Sequence, residues 1–232
     1  MRILEVHAQL HVLQFSEVND LNVFVWNDES QVTLVDSGMP GSAAEIGRGL
    51  VEIGFRRADV RRLIITHAHP DHIGAAREIG DWGADVLVHH ADADVVRGRH
   101  APPEPKLREW ELAIAEALPP IPTPEAARVD HELDDADRIA FGGGAEVIAV
   151  PGHTAGSIAL HLPEHRVLFT GDTLANVRGA TMPGVFNVDS AAVERAVLRF
   201  AALDVETICV GHGDVLRGPA VAAWRSRHGA RA

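Results

Sequence analysis

Three histidines and one aspartate lie within six consecutive positions of this chain, directly after the apolar run at 63–65; they are His67, His69, Asp71 and His72. Side chains alternate along an extended segment, so the first two histidines project to the same side. Four potential ligands this close together would repel one another when charged. Imidazole nitrogens and a carboxylate at this spacing therefore predict a metal site rather than a polar loop whose histidines cap a helix.

The local structure of this motif is expected to change at Pro70. A proline can open a helix, because the N–H that it lacks has no intrahelical partner in the first turn. Asp71 and His72 would then lie at the helix start, next to the strand end. The strand end can place two nitrogens near one ion, and the helix start can place a carboxylate and a nitrogen near a second.

Three further segments end an apolar run at a glycine next to one potential ligand. The segments are 147–153, 167–172 and 208–213, and their potential ligands are His153, Asp172 and His212. Glycine permits backbone geometry that other residues resist, so each segment is interpreted as a strand that stops at a tight turn. Together with the first motif, the set contains five histidines and two aspartates.

The order of these motifs resembles the metallo-β-lactamase superfamily. The resemblance rests on His-x-His-x-Asp-His, followed by Pro-Gly-His-Thr, Thr-Gly-Asp and Gly-His, and it covers residues from about 20 to about 215. It implies an α+β fold, a four-layer αββα sandwich of two mixed β-sheets flanked by helices, with a binuclear site at one edge of the sheets. The resemblance implies that one metal is held by His67, His69 and His153. It implies that the other metal is held by Asp71, His72 and His212, and that both are bridged by Asp172.

Nitrogen and carboxylate ligands without cysteine suit Zn²⁺, and they also suit Fe or Mn. We expect two Zn²⁺ ions about 3.5–4 Å apart, and a bridging water whose pKa falls to about 7 or below. The resulting hydroxide would attack a carbonyl polarised by the metal on the three histidines, while the second metal stabilises the leaving group. Asp71 is the expected carrier of the proton to that leaving group.

Departures from known branches of the superfamily narrow the expected substrate. Its best-known β-lactamases have a cysteine where Asp172 stands. Glyoxalase II is similar in the metal motifs, but it continues into a helical glutathione-binding region, and only 20 residues follow His212. Acyl-homoserine lactonases use a tyrosine beside the metals, and this chain has no tyrosine. A small ester, thioester or lactone of unassigned identity is therefore the expected substrate.

Two other classes of function stay open. A mononuclear iron enzyme that resembles persulfide dioxygenases would use His67, His153 and Asp172. A non-catalytic metal-binding module would be expected to show gaps in the set of ligands. Because all seven ligand positions are filled, the sequence favours hydrolysis over both.

The composition excludes several partners. The chain has 33 acidic and 21 basic residues, a formal charge of −12, which argues against nucleic acid because phosphate binding needs a basic face. No stretch approaches the ~18 apolar residues of a membrane span. The single cysteine, Cys209, is expected in a buried strand, and no signal-peptide pattern is present. We therefore expect a cytoplasmic enzyme that acts on a small molecule.

The elements that position these motifs are expected to form a single domain over residues 1–232, because 46% of the residues are hydrophobic, which is ample for one core. Strands are predicted over 2–15, 22–27, 32–35 and 85–88. Helices are predicted over 42–54, from Pro70 to near Gly80, from about 190 and around 221–227.

A helical insertion is predicted at about 101–128, between the two halves of the sandwich. Prolines flank a segment in which one helical stripe contains Leu107, Trp110, Ile114 and Leu118. Such a helix could be a lid over the site, a contact in a homodimer, or a helix packed on its own domain.

Further site residues are expected near the metal motifs. Asp36 follows a predicted strand, and it would either accept a hydrogen bond from a ligand histidine or cap the next helix. His90 is expected as a strand-end residue, with a place in the pocket wall as the alternative. The segment 174–189 shows little periodicity, which predicts a loop. Because this loop follows Asp172, it is expected to contact the substrate through Asn176, Arg178, Met182 and Phe186.

Overall fold

The structure is a computed structural model that describes residues 1–16 and 20–228. In this part of the chain the strands are β1 (Arg2–His7), β2 (Leu10–Phe15), β3 (Leu21–Asp28), β4 (Gln31–Val35), β5 (Val60–Ile65), β6 (Asp85–His89), β7 (His131–Leu133), β8 (Arg138–Ile139), β9 (Ala145–Ala149), β10 (Ile158–Leu162), β11 (Val167–Val177), β12 (Ala180–Pro183), β13 (Thr207–Gly213) and β14 (Leu216–Arg217). The α-helices are α1 (Ala43–Glu52), α2 (Pro70–Ile73), α3 (Ala76–Asp81), α4 (His90–Val96), α5 (Glu109–Ala117), α6 (Ser190–Ala201) and α7 (Pro219–His228).

The strands form two mixed halves. In the first half the spatial order is β1 to β7 in sequence, antiparallel as far as β4 and parallel from β4 to β7. In the second half β8 to β11 pair as antiparallel neighbours, and β11 pairs parallel with β13. The halves are joined where Leu21 of β3 pairs with His212 of β13.

Strand alternation sorts apolar side chains into three clusters. In β3, Val23 and Val25 belong to a cluster with Ile46 of α1, whereas Phe24 and Trp26 belong to a cluster between the two halves. A third cluster packs α6 and α7 against the outer face of the second half. Four layers, helix, sheet, sheet and helix, have three apolar interfaces between them. The three clusters fill these interfaces, so the predicted αββα sandwich is confirmed.

The predicted elements are mostly confirmed, and Cys209 is buried in β13 as expected. Residues 2–15 form two strands, β1 and β2, that pair as a hairpin. The single helix predicted from Pro70 is wrong, because the chain forms α2 and α3 with a break between them. At the break, the backbone N–H of Gly74 donates to the carbonyl oxygen of Gly38 at 2.9 Å instead of continuing the helical ladder.

The loop predicted at 174–189 is also wrong over its first half. Strand β11 continues to Val177, and the chain returns antiparallel as β12. Most residues of β11 are buried whichever way their side chains point. A strand buried on both faces has no polar alternation, and this is why the sequence showed little periodicity.

The predicted insertion contains α5, but its apolar stripe does not enter the core. Trp110, Ile114 and Leu118 are 46%, 39% and 39% exposed. The residue of α5 that is buried is Glu111. The stripe therefore stays partly exposed, and its three possible roles, as a lid, a homodimer contact or a helix packed on its own domain, stay predictions. Among the described residues, no helix is long and apolar enough to cross a membrane.

Candidate metal centre

The strands of both halves and the turns that follow them bring all seven predicted ligands to one place. The tight turns predicted at Asp172 and His212 are wrong, because both residues lie within strands. The turn after β5 and the helix α2 hold the first four, the turn after β9 holds the fifth, and β11 and β13 hold the last two: His67, His69, Asp71, His72, His153, Asp172 and His212. His69 is the N-cap residue of α2 and Pro70 is its first residue, so the predicted change from extended chain to helix is confirmed.

One cluster consists of His67, His69 and His153, each of which offers a nitrogen within 4.8 Å of the other two. The Nε2 atoms of His67 and His153 are 3.2 Å apart. His67 and His153 are almost completely buried. Three imidazoles that converge in this way can hold one divalent ion.

A second cluster consists of Asp71, His72 and His212, with ligand atoms again within 4.8 Å of one another. The distance between His212 Nε2 and Asp71 Oδ2 is 3.2 Å. Because this cluster mixes two nitrogens with a carboxylate, it suits a hard or borderline divalent ion such as Zn²⁺, Fe²⁺ or Mn²⁺.

Asp172 lies between the two clusters. Its Oδ1 is 3.4 Å from His72 Nε2, and its Oδ2 is 3.7 Å from His153 Nε2 and 3.5 Å from His212 Nε2. The carboxylate thus faces ligands of both predicted metals. The bridging role itself stays a prediction.

Two buried atoms in this group support metal binding. His72 Nε2 and Asp172 Oδ1 have no hydrogen-bond partner within residues 1–16 and 20–228. Buried polar atoms are rarely left without a partner, because they lose their hydration when they are buried. A cation between the two clusters would satisfy both atoms, so the residues present fit the expected metals.

The histidines of the first cluster are set to be neutral. Burial lowers the pKa of His67 and His153, and burial together with the nearby His153 lowers the pKa of His69 to about 3. Neutral imidazole is the form that binds a metal.

The second cluster has the opposite electrostatics. Burial lowers the pKa of His72, but Asp172, Asp36 and Asp71 outweigh it and raise that pKa well above its usual value. Burial also opposes the charge of Asp71, yet His72 and the hydrogen bond with His212 hold the pKa of this carboxyl at about 2. Without metal, protons on the histidines therefore balance the carboxylates here.

Asp36 forms hydrogen bonds with one predicted ligand, His72, and with Thr66, which precedes another. Its Oδ2 lies 2.8 Å from His72 Nδ1, and its two oxygens accept hydrogen bonds from the N–H and the hydroxyl of Thr66. The N-cap residue of α1 is Ser42, so Asp36 does not cap that helix. Because Nδ1 of His72 donates to the carboxylate, Nε2 is the nitrogen left to bind a metal, and it would give up its proton when the metal binds.

Two further contacts fix the other buried histidines in the same way. The Thr66 hydroxyl donates to Asp36 and lies 3.1 Å from His67 Nδ1. Asn187 Oδ1 lies 2.9 Å from His153 Nδ1, and the amide of Asn187 also donates to the carbonyl oxygen of Gly184. Sequence reasoning missed Asn187, although it lies within the segment 174–189 that was selected for its position after Asp172.

The predicted substrate residues have separate places. Asn176 is buried, and its amide bonds to the carbonyl of Asp214 and the hydroxyl of Thr181, so it holds the β11–β12 hairpin together. Arg178 lies at the tip of that hairpin. Met182 and Phe186 are partly buried, and the N–H of Phe186 donates to Glu111. Substrate contact by these four residues stays a prediction.

His90 begins α4 directly after strand β6, as the strand-end interpretation expects. Its side chain is 53% exposed, and Nδ1 lies 2.8 Å from Asp134 Oδ1.

Comparison with known proteins gives the family. A sequence profile of the metallo-beta-lactamase superfamily matches residues 19–212, so the chain belongs to that superfamily. The chain is 34% identical over 213 residues to a hydroxyacylglutathione hydrolase of Fuscovulum blasticum, with 90% of this chain and 68% of that protein covered. It is 27% identical over 230 residues to the probable metallo-hydrolase YflN of Bacillus subtilis (strain 168), with 92% and 87% covered.

Solved structures agree with the fold. A metallo-beta-lactamase family protein of Thermus thermophilus aligns with a TM-score of 0.70 at 22% identity, over 98% of this chain and 81% of that one. A Cronobacter sakazakii metallo-beta-lactamase with a HARLDQ motif aligns with a TM-score of 0.73 at 21% identity, over 100% and 92%. At these identities the structures support the fold alone.

Proposed function

We propose that this chain is a binuclear metal-dependent hydrolase of a small carbonyl ester, thioester or lactone. The observation that carries the proposal is that both ligand clusters are complete and that Asp172 faces the two together, within 3.7 Å of His153 and 3.5 Å of His212. A module that only bound one ion would not need two complete clusters around a shared carboxylate.

Each group of residues would have its own role in the reaction. Three histidines would hold one Zn²⁺, the second cluster would hold the other, and Asp172 would lie between them. Bound there, the metals would supply a nucleophilic oxygen at neutral pH and polarise the substrate carbonyl. Asp71 would carry the proton to the leaving group, because it is a carboxylate beside the proposed nucleophile and its side chain is 16% exposed.

The relatives indicate which bond to test first. A relative at 34% identity is named a hydroxyacylglutathione hydrolase, and the substrate in that name is a thioester. A hydroxyacyl thioester of glutathione is therefore the first substrate to try, beside simple esters and lactones. The formal charge of −12 supports a small-molecule substrate over nucleic acid.

The test begins with the metal content of protein purified without added metal or chelator. About two zinc ions per chain, with thioester, ester or lactone turnover and no oxygen uptake, would support the proposal. One iron per chain with oxygen uptake on glutathione persulfide would replace it with the dioxygenase. Bound metal without turnover of any substrate in the panel would indicate a non-catalytic metal-binding module.

A matched pair of variants connects the metals to turnover. Asp172→Asn should lose metal and activity together, because an amide cannot balance two cations. Asp204→Asn removes a carboxylate whose side chain is 73% exposed, and it should behave like the wild type. Full metal content and full activity in Asp172→Asn would show that the shared position assigned to this residue is wrong.

A further inference from the structure

Asp92 is a buried carboxylate that the proposed mechanism does not use. It lies in the first turn of α4, two residues after His90, and it is 2% exposed. A buried carboxylate is costly unless its oxygens are fully hydrogen-bonded. The partners of Asp92 therefore indicate what it is for.

Those partners all belong to the loops that carry the histidines of the first cluster. Asp92 Oδ2 accepts from the N–H of Ala68 at 2.8 Å and from the hydroxyl of Thr154 at 2.7 Å. Its Oδ1 accepts from the N–H of Gly156 at 2.9 Å. Ala68 lies between His67 and His69 in the sequence, and Thr154 directly follows His153.

One side chain thus connects two loops that are far apart in the sequence and that come from opposite halves of the sandwich. The contact is also close, since a Cβ at position 156 would lie 2.6 Å from Cγ of Asp92. Glycine at 156 is what lets the second loop approach the carboxylate. Thr154 is held in turn, because its N–H donates to Ser157 Oγ at 2.9 Å.

We propose that Asp92 is a positioning residue that sets the distance between the loop at 67–69 and His153, and thereby the metal affinity of the three-histidine cluster. The proposal rests on the proposed metal-dependent function. It does not require Asp92 to touch metal or substrate. Without the carboxylate, the two loops would have no common acceptor, and the three nitrogens would lose their fixed spacing before the metal arrives.

Asparagine is a sharp replacement, because it has nearly the same shape. Whichever way its amide is turned, one of the two backbone N–H donors faces an NH₂ group instead of an oxygen. Residues that orient metal ligands typically contribute about 10–100-fold to metal affinity. We expect a loss of this size in Asp92→Asn at the three-histidine site, with the affinity of the second site close to that of the wild type.

The experiment titrates apoprotein with Zn²⁺ in competition with a chromophoric chelator, so that the readout does not depend on turnover. The matched control is Asp130→Asn, a carboxylate in the same half of the fold that accepts from the N–H of Val86 and from Arg128. Neither of these two partners belongs to a ligand loop. The Asp130 variant should therefore bind both metals like the wild type.

A double-mutant cycle separates positioning from general stability. In a His153→Ala background the three-histidine site is already broken, so adding Asp92→Asn should cost little further affinity. A purely structural role would instead weaken both sites equally, and its effect would add to that of His153→Ala. Equal or additive losses would overturn the proposal.

Thr154 provides a second variant in case Asp92→Asn does not fold. Thr154→Val removes one donor to the carboxylate and should lower affinity at the same site, whereas Thr154→Ser retains a hydroxyl and should lose less. Equal affinities for these two variants and wild type would overturn the proposal. If the wild type binds no metal, the proposed function is overturned together with this inference. If the wild type binds metal and Asp92→Asn binds it with the same affinity, this inference alone is overturned.

Discussion

Gly211 precedes the ligand His212, and it leaves no room for a side chain. A Cβ at this position would lie 1.9 Å from Asp172 Oδ1 and 3.0 Å from His72 Cε1. Real Cβ atoms essentially never approach another atom closer than 3.0 Å, so in Gly211→Ala the Asp172 carboxylate and the backbone next to His212 would have to move apart by at least 1.1 Å. The backbone at 211 is not in the left-handed region, so the effect of alanine is steric.

The expected size follows from how strictly metal sites depend on distance. Metal–ligand distances are held to within about 0.2 Å, so a shift of this size would break the contact of Asp172 with at least one ion. A misplacement of about 1 Å near a reacting centre can cost about 100-fold in rate. We therefore expect kcat/KM to fall at least about 100-fold, which corresponds to roughly 2.7 kcal/mol of activation free energy.

The assay measures metal content by elemental analysis and turnover on the best substrate of the ester, thioester and lactone panel. The matched control is Gly80→Ala in α3, where the nearest atom to a new Cβ is Val86 Cγ2 at 3.5 Å, an ordinary contact. This control should retain metal and activity, and it should stabilise the helix by up to about 1 kcal/mol. Wild-type metal content and rate in Gly211→Ala would refute the placement of Asp172 between the two clusters.

Three further predictions follow from the contacts around the centre and from one histidine away from it. Asp36→Asn should weaken metal binding by about 10–100-fold in the chelator titration, because Nδ1 of the ligand histidine at 72 loses its carboxylate partner; unchanged binding would contradict this role. Asn187→Ala should likewise lower metal affinity, since His153 Nδ1 loses its acceptor, and a variant with wild-type affinity would show that the contact is dispensable. Burial and the neighbouring His165 lower the pKa of His7 in the folded chain from 6.5. As the pH falls below 6.5, the unfolded chain therefore binds more protons than the folded chain, and the stability should fall. His7→Gln should reduce the loss of stability between pH 7 and about 5 in urea unfolding, relative to His100→Gln as an exposed control; an equal loss in both variants would contradict this assignment.

Much of the fold and the types of residue in the centre could be predicted from the sequence, because they depend on local rules. Alternation in strands sorts side chains between two faces, and in β3 it places Val23 and Val25 in one cluster and Phe24 and Trp26 in another. A proline at the first helical position and glycines at turns need only their own backbone preferences. The seven potential ligands were likewise visible as residue types that follow apolar runs.

The sequence was less informative where periodicity does not report on surroundings. The stripe on α5 shows that Trp110 and Ile114 share a face, but only the structure shows that this face is exposed. The continuation of β11 from Asp172 to Val177 was hidden because the strand is buried on both faces, which removes the alternation that marks a strand. The break after α2 was hidden because it depends on the bond between Gly74 and Gly38.

The sequence by itself determined which atoms can bind metal and the order in which the chain presents them. The tertiary structure decided which residues hold those ligands in place. Asp92 connects the loops of His67 and His153 across 24 and 64 residues of sequence, and Asn187 reaches His153 across 34 residues. An aspartate or asparagine has no local pattern that names such a distant partner, because a hydrogen bond between remote segments exists only once packing has brought them together.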